Sequence, residues 1–210
     1  MKTGSSGLPP DPLRDDSPET WERLVEGLAP ATLLVCIAER MAPRLRARFS
    51  PEDIWQDTLL QVWRDRSSCE WRGPAAFRRW VLAVAENRIR NAADRLNAAK
   101  RDAAAELPLE RADAGDDPGP PPAVSSTTPS RVAGYREESE AMRAALGELT
   151  PDVREVVRLR LFEELPVEEV AERLSLGSSA VKHRFRRGVH RYQALLSARL
   201  ASTRGRADAP

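Results

Sequence analysis

A proline-rich stretch divides this chain of 210 residues into two parts. Residues 113–130 read DAGDDPGPPPAVSSTTPS and offer almost no side chain that a folded core could bury. Proline interrupts helices and sheet ladders, and a polar, proline-rich composition is typical of disordered segments. The sequence therefore predicts a flexible acidic, proline-rich linker at residues 102–136, which joins small folded domains at residues 19–101 and 137–200. An ordered loop lying across a partner is the alternative interpretation of the stretch.

The first predicted domain contains a well-marked helix start. Ser50, Pro51 and Asp53 supply a hydroxyl cap, a proline at the first helical position and a carboxylate three residues after the cap. The apolar side chains that follow at helical spacing are Ile54, Trp55, Thr58, Leu59, Val62 and Trp63. This stripe predicts a helix that buries one face and leaves its acidic and amide side chains on the other.

A second long helix is predicted over residues 75–101, with Arg78 and Arg79 on its solvent face. No run of alternating β-branched residues occurs anywhere in the sequence. Because strands are signalled by such runs, we predict an all-α fold. The remaining tails, residues 1–18 and 201–210, are predicted to be disordered.

The charges are sorted along the chain, although the formal net charge is only +1. Residues 72–101 carry eight cations and two acids, and residues 176–206 carry eight cations and no acid. Residues 102–140, which lie between them, carry nine acids and three cations. An asymmetry of this kind is more informative than the net charge. Two basic blocks therefore flank an acidic spacer.

The second basic block contains a predicted helix-turn-helix. VEEVAERL presents one apolar face, SLG forms a tight turn, and SSAVKHRFRRGVHRY forms a second helix. The side chains that point inward on the second helix are Val181, Phe185, Gly188 and Tyr192. Its outer face carries Lys182, His183, Arg186, Arg187 and His190. A recognition helix meets bases and phosphates with such a face near its N-terminus, whereas a merely solvated basic helix is the structural alternative.

These motifs resemble a family of bacterial transcription proteins. The helix-turn-helix, with LTPDVREVVRLRLFEELP before it, is similar to region 4 of RNA polymerase sigma factors of the extracytoplasmic-function group. SPEDIWQDTLLQVWRD resembles region 2.2, and WRGPAAFRRWVLAVAENRIRNAADRLNAAKR resembles regions 2.3 and 2.4. The resemblance covers most of residues 24–101 and 138–196. Two positions depart from it, since Ser175 stands at the usual turn glycine and Ala180 at a common threonine.

The resemblance implies roles for three groups of residues. The polar face that docks on the polymerase clamp helices matches Asp53, Gln56 and Asp57. The site that captures a flipped minus-10 base and holds the melted strand matches Trp71, Arg72, Gly73, Asn87, Arg88, Arg90 and Arg95. The face that reads the minus-35 element matches Lys182, His183, Arg184, Arg186 and Arg187. A core-capping Trp71 and a merely solvated Asp57 are the structural alternatives.

The resemblance also implies the partners: core RNA polymerase, through its β′ clamp helices and β flap, and promoter DNA. An anti-sigma protein is a further candidate. The isolated Cys36 and Cys69 fit neither a disulfide framework nor a zinc site, and no phosphate loop or catalytic pair occurs, so we expect no metal, cofactor or enzymatic activity. With no signal peptide and no apolar run that could cross a bilayer, a cytoplasmic protein is expected. A regulator that binds duplex DNA without polymerase is the alternative function.

Overall fold

The computed structural model describes residues 11–102 and 128–207. The first range, here the N-terminal part, contains α1 (Pro18–Gly27), α2 (Pro30–Arg40), α3 (Pro43–Arg46), α4 (Pro51–Asp65) and α5 (Pro74–Asp102). The second range, the C-terminal part, contains α6 (Pro129–Gly147), α7 (Pro151–Val157), α8 (Val167–Arg173) and α9 (Ser178–Ala207). Short 3-10 turns lie at Pro12–Arg14 and Arg66–Ser68, and a π-helical turn at Arg158–Phe162 follows α7. No strand occurs in either described range, which confirms the all-α prediction.

Proline begins seven of the nine α-helices in the described ranges. The first helical position suits proline, because its missing N–H would have no partner there and its φ angle is already helical. This use of proline explains why α6 starts at Pro129, eight residues before the predicted domain start at residue 137. The rest of the predicted linker, residues 103–127, lies outside the described residues.

The helix start predicted at Ser50 is confirmed in detail. The Asp53 backbone N–H donates to Ser50 Oγ at 3.1 Å, and the Ser50 backbone N–H donates to Asp53 Oδ2 at 2.8 Å. These two bonds form a capping box that fixes the start of α4. The buried side chains of α4 are the predicted stripe of Ile54, Trp55, Thr58, Leu59, Val62 and Trp63.

Both chain ends are ordered further than predicted. In the segment predicted as an N-terminal tail, Leu13 is 1% exposed and belongs to the core. At the other end, α9 continues to Ala207, beyond the predicted domain end at residue 200. Residues 1–10 and 208–210 of the predicted tails lie outside the described residues.

The two parts share one hydrophobic core. Helix α2 packs against α4 and α5 of the N-terminal part and also against α6 of the C-terminal part. Its residues from Leu33 to Ala38 are all buried, as expected for a helix covered on every side. The same cluster of buried side chains extends from Leu13 to Tyr192. The folded parts on either side of the predicted linker are therefore in direct contact.

Arg78 is the clearest error of the sequence-based assignment. It was placed on the solvent face of α5, yet it is only 5% exposed. Its guanidinium donates to the carbonyl oxygen of Leu28, to Thr32 Oγ1 at 2.8 Å and to the carbonyl oxygen of Phe162 at 2.9 Å. The neighbouring Arg79 is exposed, as predicted. Arg78 is buried between segments of both parts, since two of these acceptors lie in the N-terminal part and one in the C-terminal part, and helical periodicity cannot show such contacts.

Candidate nucleic-acid interface

Helices α8 and α9 form the predicted helix-turn-helix. The Leu176 backbone N–H donates to the carbonyl oxygen of Ala171 at 2.8 Å, which closes the turn between them. Ser175 holds a left-handed φ of +52° in this turn, a conformation that favours glycine. A small apolar cluster supports the motif, and its buried members are Val156, Leu159, Leu165, Val170, Ala171 and Val181.

A glycine sets the close approach of α9 to α7. Gly188 is buried, and a Cβ atom at this position would lie 2.5 Å from Val153 Cγ1 and 2.5 Å from Val157 Cγ2. No side chain larger than hydrogen fits there without movement of these valines. Val181 and Tyr192 are buried on the same side of α9 and Phe185 is half-buried, so the predicted inward face is confirmed.

The opposite face of α9 exposes its cations. Lys182, His183, Arg186 and Arg187 are exposed, and none of them pairs with an acidic side chain of the described residues. Arg184 differs from these four, because it is half-buried and its Nε lies 3.7 Å from Asp152 Oδ2 on α7. The structure therefore brings four of the five predicted minus-35 residues onto one open face and directs the fifth towards α7.

The predicted polymerase-docking residues lie near the start of α4. Asp53, Gln56 and Asp57 are all exposed. The Asp53 carboxylate is already engaged in the capping box, whereas the side chains of Gln56 and Asp57 have no partner among the described residues. Asp53 therefore caps the helix, whereas Gln56 and Asp57 are available for contact with a partner.

The loop before α5 is built around Gly73, whose φ is +90°. Trp71 is half-buried, and its ring centroid lies 5.7 Å from that of Phe77. Arg72 is exposed and its Nη2 lies 2.6 Å from Glu70 Oε2. The hydrogen bond from Arg72 lowers the pKa of the Glu70 carboxyl. The tryptophan therefore belongs partly to the core, while the arginine points to solvent.

Trp71 lines a cavity of about 390 Å³, together with other side chains of the N-terminal part. The lining includes the apolar Leu24, Leu28, Pro74 and Phe77 and the polar Asp15, Thr20 and Arg23. Arg23 Nη2 donates to Thr20 Oγ1 at 2.9 Å, and this hydroxyl donates to Asp15 Oδ2 at 2.7 Å. The bond from Thr20 lowers the pKa of the Asp15 carboxyl. These polar residues were missed by the sequence analysis, because they occupy α1 and the turn before it, outside any basic motif.

The structure separates Asn87 from this cavity. Asn87 follows Pro74 by thirteen positions on α5, which corresponds to about 20 Å along a helix. Neither Asn87 nor Arg72 lines the cavity that contains Trp71. The structure therefore does not bring together around this cavity the three residues that the resemblance grouped at one base pocket, Trp71, Arg72 and Asn87.

The middle of α5 exposes a polar and cationic surface instead. Asn87, Arg90 and Arg95 are exposed, and Arg88 is half-buried. Arg90 Nη1 donates to Asn87 Oδ1 at 3.0 Å. The spacing of three residues places this pair on one face of the helix. The predicted strand-holding residues thus form a track along α5 that is distinct from the Trp71 cavity.

Within the described ranges, no helix is both long and apolar enough to cross a membrane. The same residues contain no group of three or more histidine, cysteine or acidic side chains that could hold a metal ion. Both cysteines are free thiols.

Comparison with known proteins finds one family match, within the C-terminal part. Residues 139–191 match the family model described as "Sigma-70, region 4". The matched range runs from within α6 to the middle of α9 and includes α8, the turn after it and the first half of α9. This segment is therefore similar to the sigma-70 region 4 family, which agrees with the resemblance of the helix-turn-helix and supports a role in transcription. The family is not a class of enzymes.

A solved structure is also similar to this chain. It is described as the structure of CnrH in complex with the cytosolic domain of CnrY, and it matches with 20% sequence identity and a TM-score of 0.34. The match covers 90% of this chain and 93% of that one. The comparison with curated proteins returns no match.

Proposed function

We propose that this protein is a sigma factor of the extracytoplasmic-function group, which binds core RNA polymerase and directs promoter recognition and melting. One observation carries the proposal. The segment that matches sigma-70 region 4 folds as a helix-turn-helix whose recognition helix exposes four cationic or imidazole side chains on one face. Such a face beside a helix N-terminus suits the major groove of a minus-35 element.

The minus-35 contacts are assigned to Lys182, His183, Arg186 and Arg187. Arg184 is retained as a fifth contact, although it would have to leave Asp152 to reach DNA. Until then its ion pair helps to seat α9 on α7. The bases are read by the first turns of α9, because residues near the N-terminus of a recognition helix reach furthest into the groove.

The minus-10 function is assigned to the N-terminal part in two pieces. Asn87, Arg88, Arg90 and Arg95 form the track that holds the backbone of the melted strand. The loop of Trp71, Arg72 and Gly73 captures the flipped base, with the cavity beside Trp71 as its pocket. Arg23 and Thr20 supply polar groups there, in place of the distant Asn87. A single strand needs an aromatic platform and a cationic track, and the two pieces supply both.

The exposed start of α4 is assigned to the binding of core polymerase. Gln56 and Asp57 supply the contact with the β′ clamp helices, and Asp53 joins them while it caps the helix. The β flap is assigned to the C-terminal part, and an anti-sigma protein is a further proposed partner. We propose that the protein acts in the cytoplasm, where these partners would be.

The docking assignment is tested by Asp57→Arg. This exposed change should leave the melting temperature nearly unchanged, because surface substitutions alter stability by only about 0.5 kcal/mol. It should nevertheless reduce co-purification with core polymerase and transcription from a cognate promoter. Asp94→Arg, the same charge change at an exposed position of α5, is the matched control and should retain core binding. Normal core binding by Asp57→Arg would refute the docking assignment.

A mobility-shift assay distinguishes the proposed sigma factor from the alternative function, a regulator that binds duplex DNA by itself. A sigma factor should shift promoter DNA specifically only when core polymerase is present. That complex should then begin transcription at a defined start site. An equally specific shift without core, and no transcription with it, would favour the regulator.

A further inference from the structure

The cavity beside Trp71 is too large to be a packing defect. Its volume is about 390 Å³, whereas protein interiors contain few voids larger than a water molecule. Small-molecule sites have volumes of about 300 to 1,000 Å³ and combine apolar walls with a few placed polar groups. The cavity therefore has the size of a ligand site, and the chemistry of its lining indicates which ligand it suits.

The inner wall of the cavity is apolar and aromatic. Leu28 and Phe77 are buried there, and Trp71 is half-buried. The ring centroids of Trp71 and Phe77 lie 5.7 Å apart, and the two ring planes are tilted by 50°. Aromatic rings attract one another in tilted and offset arrangements of this kind. A large apolar group, above all an aromatic ring, is therefore the group that suits the inner wall.

One side of the rim carries both signs of charge next to each other. Asp15 and Arg23 are exposed, and both bond to the hydroxyl of Thr20. This hydroxyl donates to Asp15 Oδ2 at 2.7 Å and accepts from Arg23 Nη2 at 2.9 Å. The shared hydroxyl therefore holds the carboxylate and the guanidinium side by side at the rim of an apolar cavity.

Both charged groups retain hydrogen-bonding capacity for a ligand. Arg23 Nε donates to the carbonyl oxygen of Glu19 at 3.3 Å and its Nη2 donates to Thr20, whereas its Nη1 makes no hydrogen bond within the described residues. Each oxygen of Asp15 accepts one bond, from the Ser17 backbone N–H and from Thr20. A carboxylate oxygen can accept two bonds, so Asp15 can accept from a ligand as well.

The other charged residue of the lining, Asp11, is engaged within its own turn. Its Oδ1 accepts from the Leu13 backbone N–H at 3.0 Å, and its Oδ2 lies 3.4 Å from Arg14 Nε. Asp15 and Arg23 are therefore the groups that face a ligand, and together they carry no net charge. A ligand with a single charge would be attracted by one of them and repelled by the other, whereas a zwitterion satisfies both.

We propose that this cavity binds a free α-amino acid with a large apolar side chain, above all an aromatic one, and that the bound amino acid excludes the flipped base. Arg23 binds the α-carboxylate, Asp15 accepts from the α-ammonium group, and the side chain packs on Trp71 and Phe77. The exclusion of the base rests on the proposed function. Because the coupling between two ligands is reciprocal, the amino acid and the DNA strand weaken each other's binding by the same factor.

Tryptophan fluorescence of the whole chain follows the binding of L-phenylalanine, which does not absorb where tryptophan is excited selectively. We expect a dissociation constant of about 0.1 to 1 mM for a ligand of this size. Trp71→Phe should remove most of the fluorescence change. Trp80→Phe is the matched control, because Trp80 is also half-buried but does not line the cavity, and it should retain the change.

Three analogues test the three parts of the ligand. The carboxylate is missing from 2-phenylethylamine, the ammonium group from 3-phenylpropionate and the ring from L-alanine. Each should bind at least about tenfold more weakly than L-phenylalanine, because each loses a charge-assisted hydrogen bond or the apolar contact. An analogue with a single charge that bound as tightly as L-phenylalanine would overturn the assignment of a zwitterion.

The decisive variants are Arg23→Met and Asp15→Asn, each of which should weaken the binding of L-phenylalanine about tenfold. Arg23→Met should not weaken the binding of 2-phenylethylamine, and Asp15→Asn should not weaken that of 3-phenylpropionate. Loss of folding would weaken all ligands alike. The matched controls are Arg46→Met and Asp94→Asn, the same changes at exposed positions outside the lining, and they should alter affinity less than about twofold. Unaltered affinity in both decisive variants, or no binding by the unaltered chain, would overturn the site.

The competition is measured with a short oligothymidine strand and the whole chain. Saturating L-phenylalanine should weaken strand binding about tenfold, which corresponds to the loss of one stacked base, whereas L-alanine at the same concentration should not. An unchanged strand affinity in saturating L-phenylalanine would overturn the exclusion of the base. A chain that binds no single strand under any condition would refute the proposed minus-10 function and the competition with it, while the titrations with L-phenylalanine would still decide the amino-acid site.

Discussion

Helices α5 and α9 are the two longest helices of the described residues, with 29 and 30 residues, and they use their arginines in opposite ways. On α9, Arg186 and Arg187 are exposed and have no acidic partner among the described residues. On α5, Arg78 is buried and binds a carbonyl oxygen 84 residues away in the chain. The same side chain thus serves as an open contact in one helix and as an internal clamp in the other. Residue type and helical spacing alone do not distinguish the two uses.

The comparison is tested most strongly by Arg78→Met. Methionine keeps much of the apolar stem but leaves the carbonyl oxygens of Leu28 and Phe162 without these donors. An unsatisfied buried polar group costs about 1 to 3 kcal/mol, so we expect the free energy of unfolding to fall by about 3 kcal/mol. Chemical denaturation followed by circular dichroism measures this loss.

Arg79→Met is the matched control, since it makes the same change at the next residue, which is exposed. It should alter the free energy of unfolding by less than about 0.5 kcal/mol. Equal effects of the two substitutions would show that Arg78 is not the clamp that the contacts indicate.

The difference between α5 and α9 also explains what could be predicted of the fold. The stripe on α4, the capping box at Ser50 and the inward face of α9 depend on neighbours within one helix or one motif, and all three were predicted. Arg78 could not be predicted, because its burial depends on distant segments of both parts that pack around it. The early start of α6 at Pro129 was missed for another reason. A proline counted as a helix breaker also suits a first helical position.

The open face of α9 is tested by Arg187→Ala. A bidentate base contact contributes about 1 to 3 kcal/mol of discrimination, so promoter affinity should fall by about 2 kcal/mol and preference should relax at one base position. Selection from a randomised duplex library, with the whole chain bound to core polymerase, measures both.

Arg191→Ala is the control on the same helix, one turn further from its N-terminus. If Arg191 contacts only phosphate, its loss should weaken binding to all sequences alike and leave the sequence preference unchanged. An unaltered sequence preference in Arg187→Ala would exclude base readout by that residue.

The candidate site was predicted less completely than the fold. Exposure of Lys182, His183, Arg186 and Arg187 followed from the helix-turn-helix pattern, and the structure agrees. The polar groups beside Trp71 could not be found in this way. Thr20 and Arg23 reach that cavity only because α1 folds against the loop before α5. A cavity between two helices has no local signature in the sequence.

Gly188→Ala tests how α9 is seated. The new Cβ would meet the γ-methyl groups of Val153 and Val157, and overpacking a core costs about 1 to 3 kcal/mol. Alanine regains part of that cost through its helix propensity, so a net loss of about 1 to 2 kcal/mol is expected. The measurement is again chemical denaturation. Gly134→Ala on α6 has no atom within 4 Å of the new Cβ and should stabilise the protein instead. A stabilising effect of Gly188→Ala would contradict the close approach of α9 to α7 at this residue.

The smallest expected effect concerns the turn that sets the direction of α9. Ser175 holds a φ of +52°, where an L-residue is strained by about 1 to 2 kcal/mol relative to ordinary conformations and glycine is not. Glycine also loses more backbone entropy on folding, which offsets part of the gain. Ser175→Gly should therefore raise the free energy of unfolding by about 0.5 to 1 kcal/mol. Ser179→Gly, four residues later within α9, should lower it by a similar amount, because glycine disfavours a helix. Opposite signs for the two variants would confirm the left-handed turn, and equal losses would show that Ser175 does not adopt it. Glycine adopts the same left-handed turn, so the angle at which α9 leaves α8 should not change. Ser175→Gly should therefore stabilise the fold and leave the sequence preference for DNA unchanged.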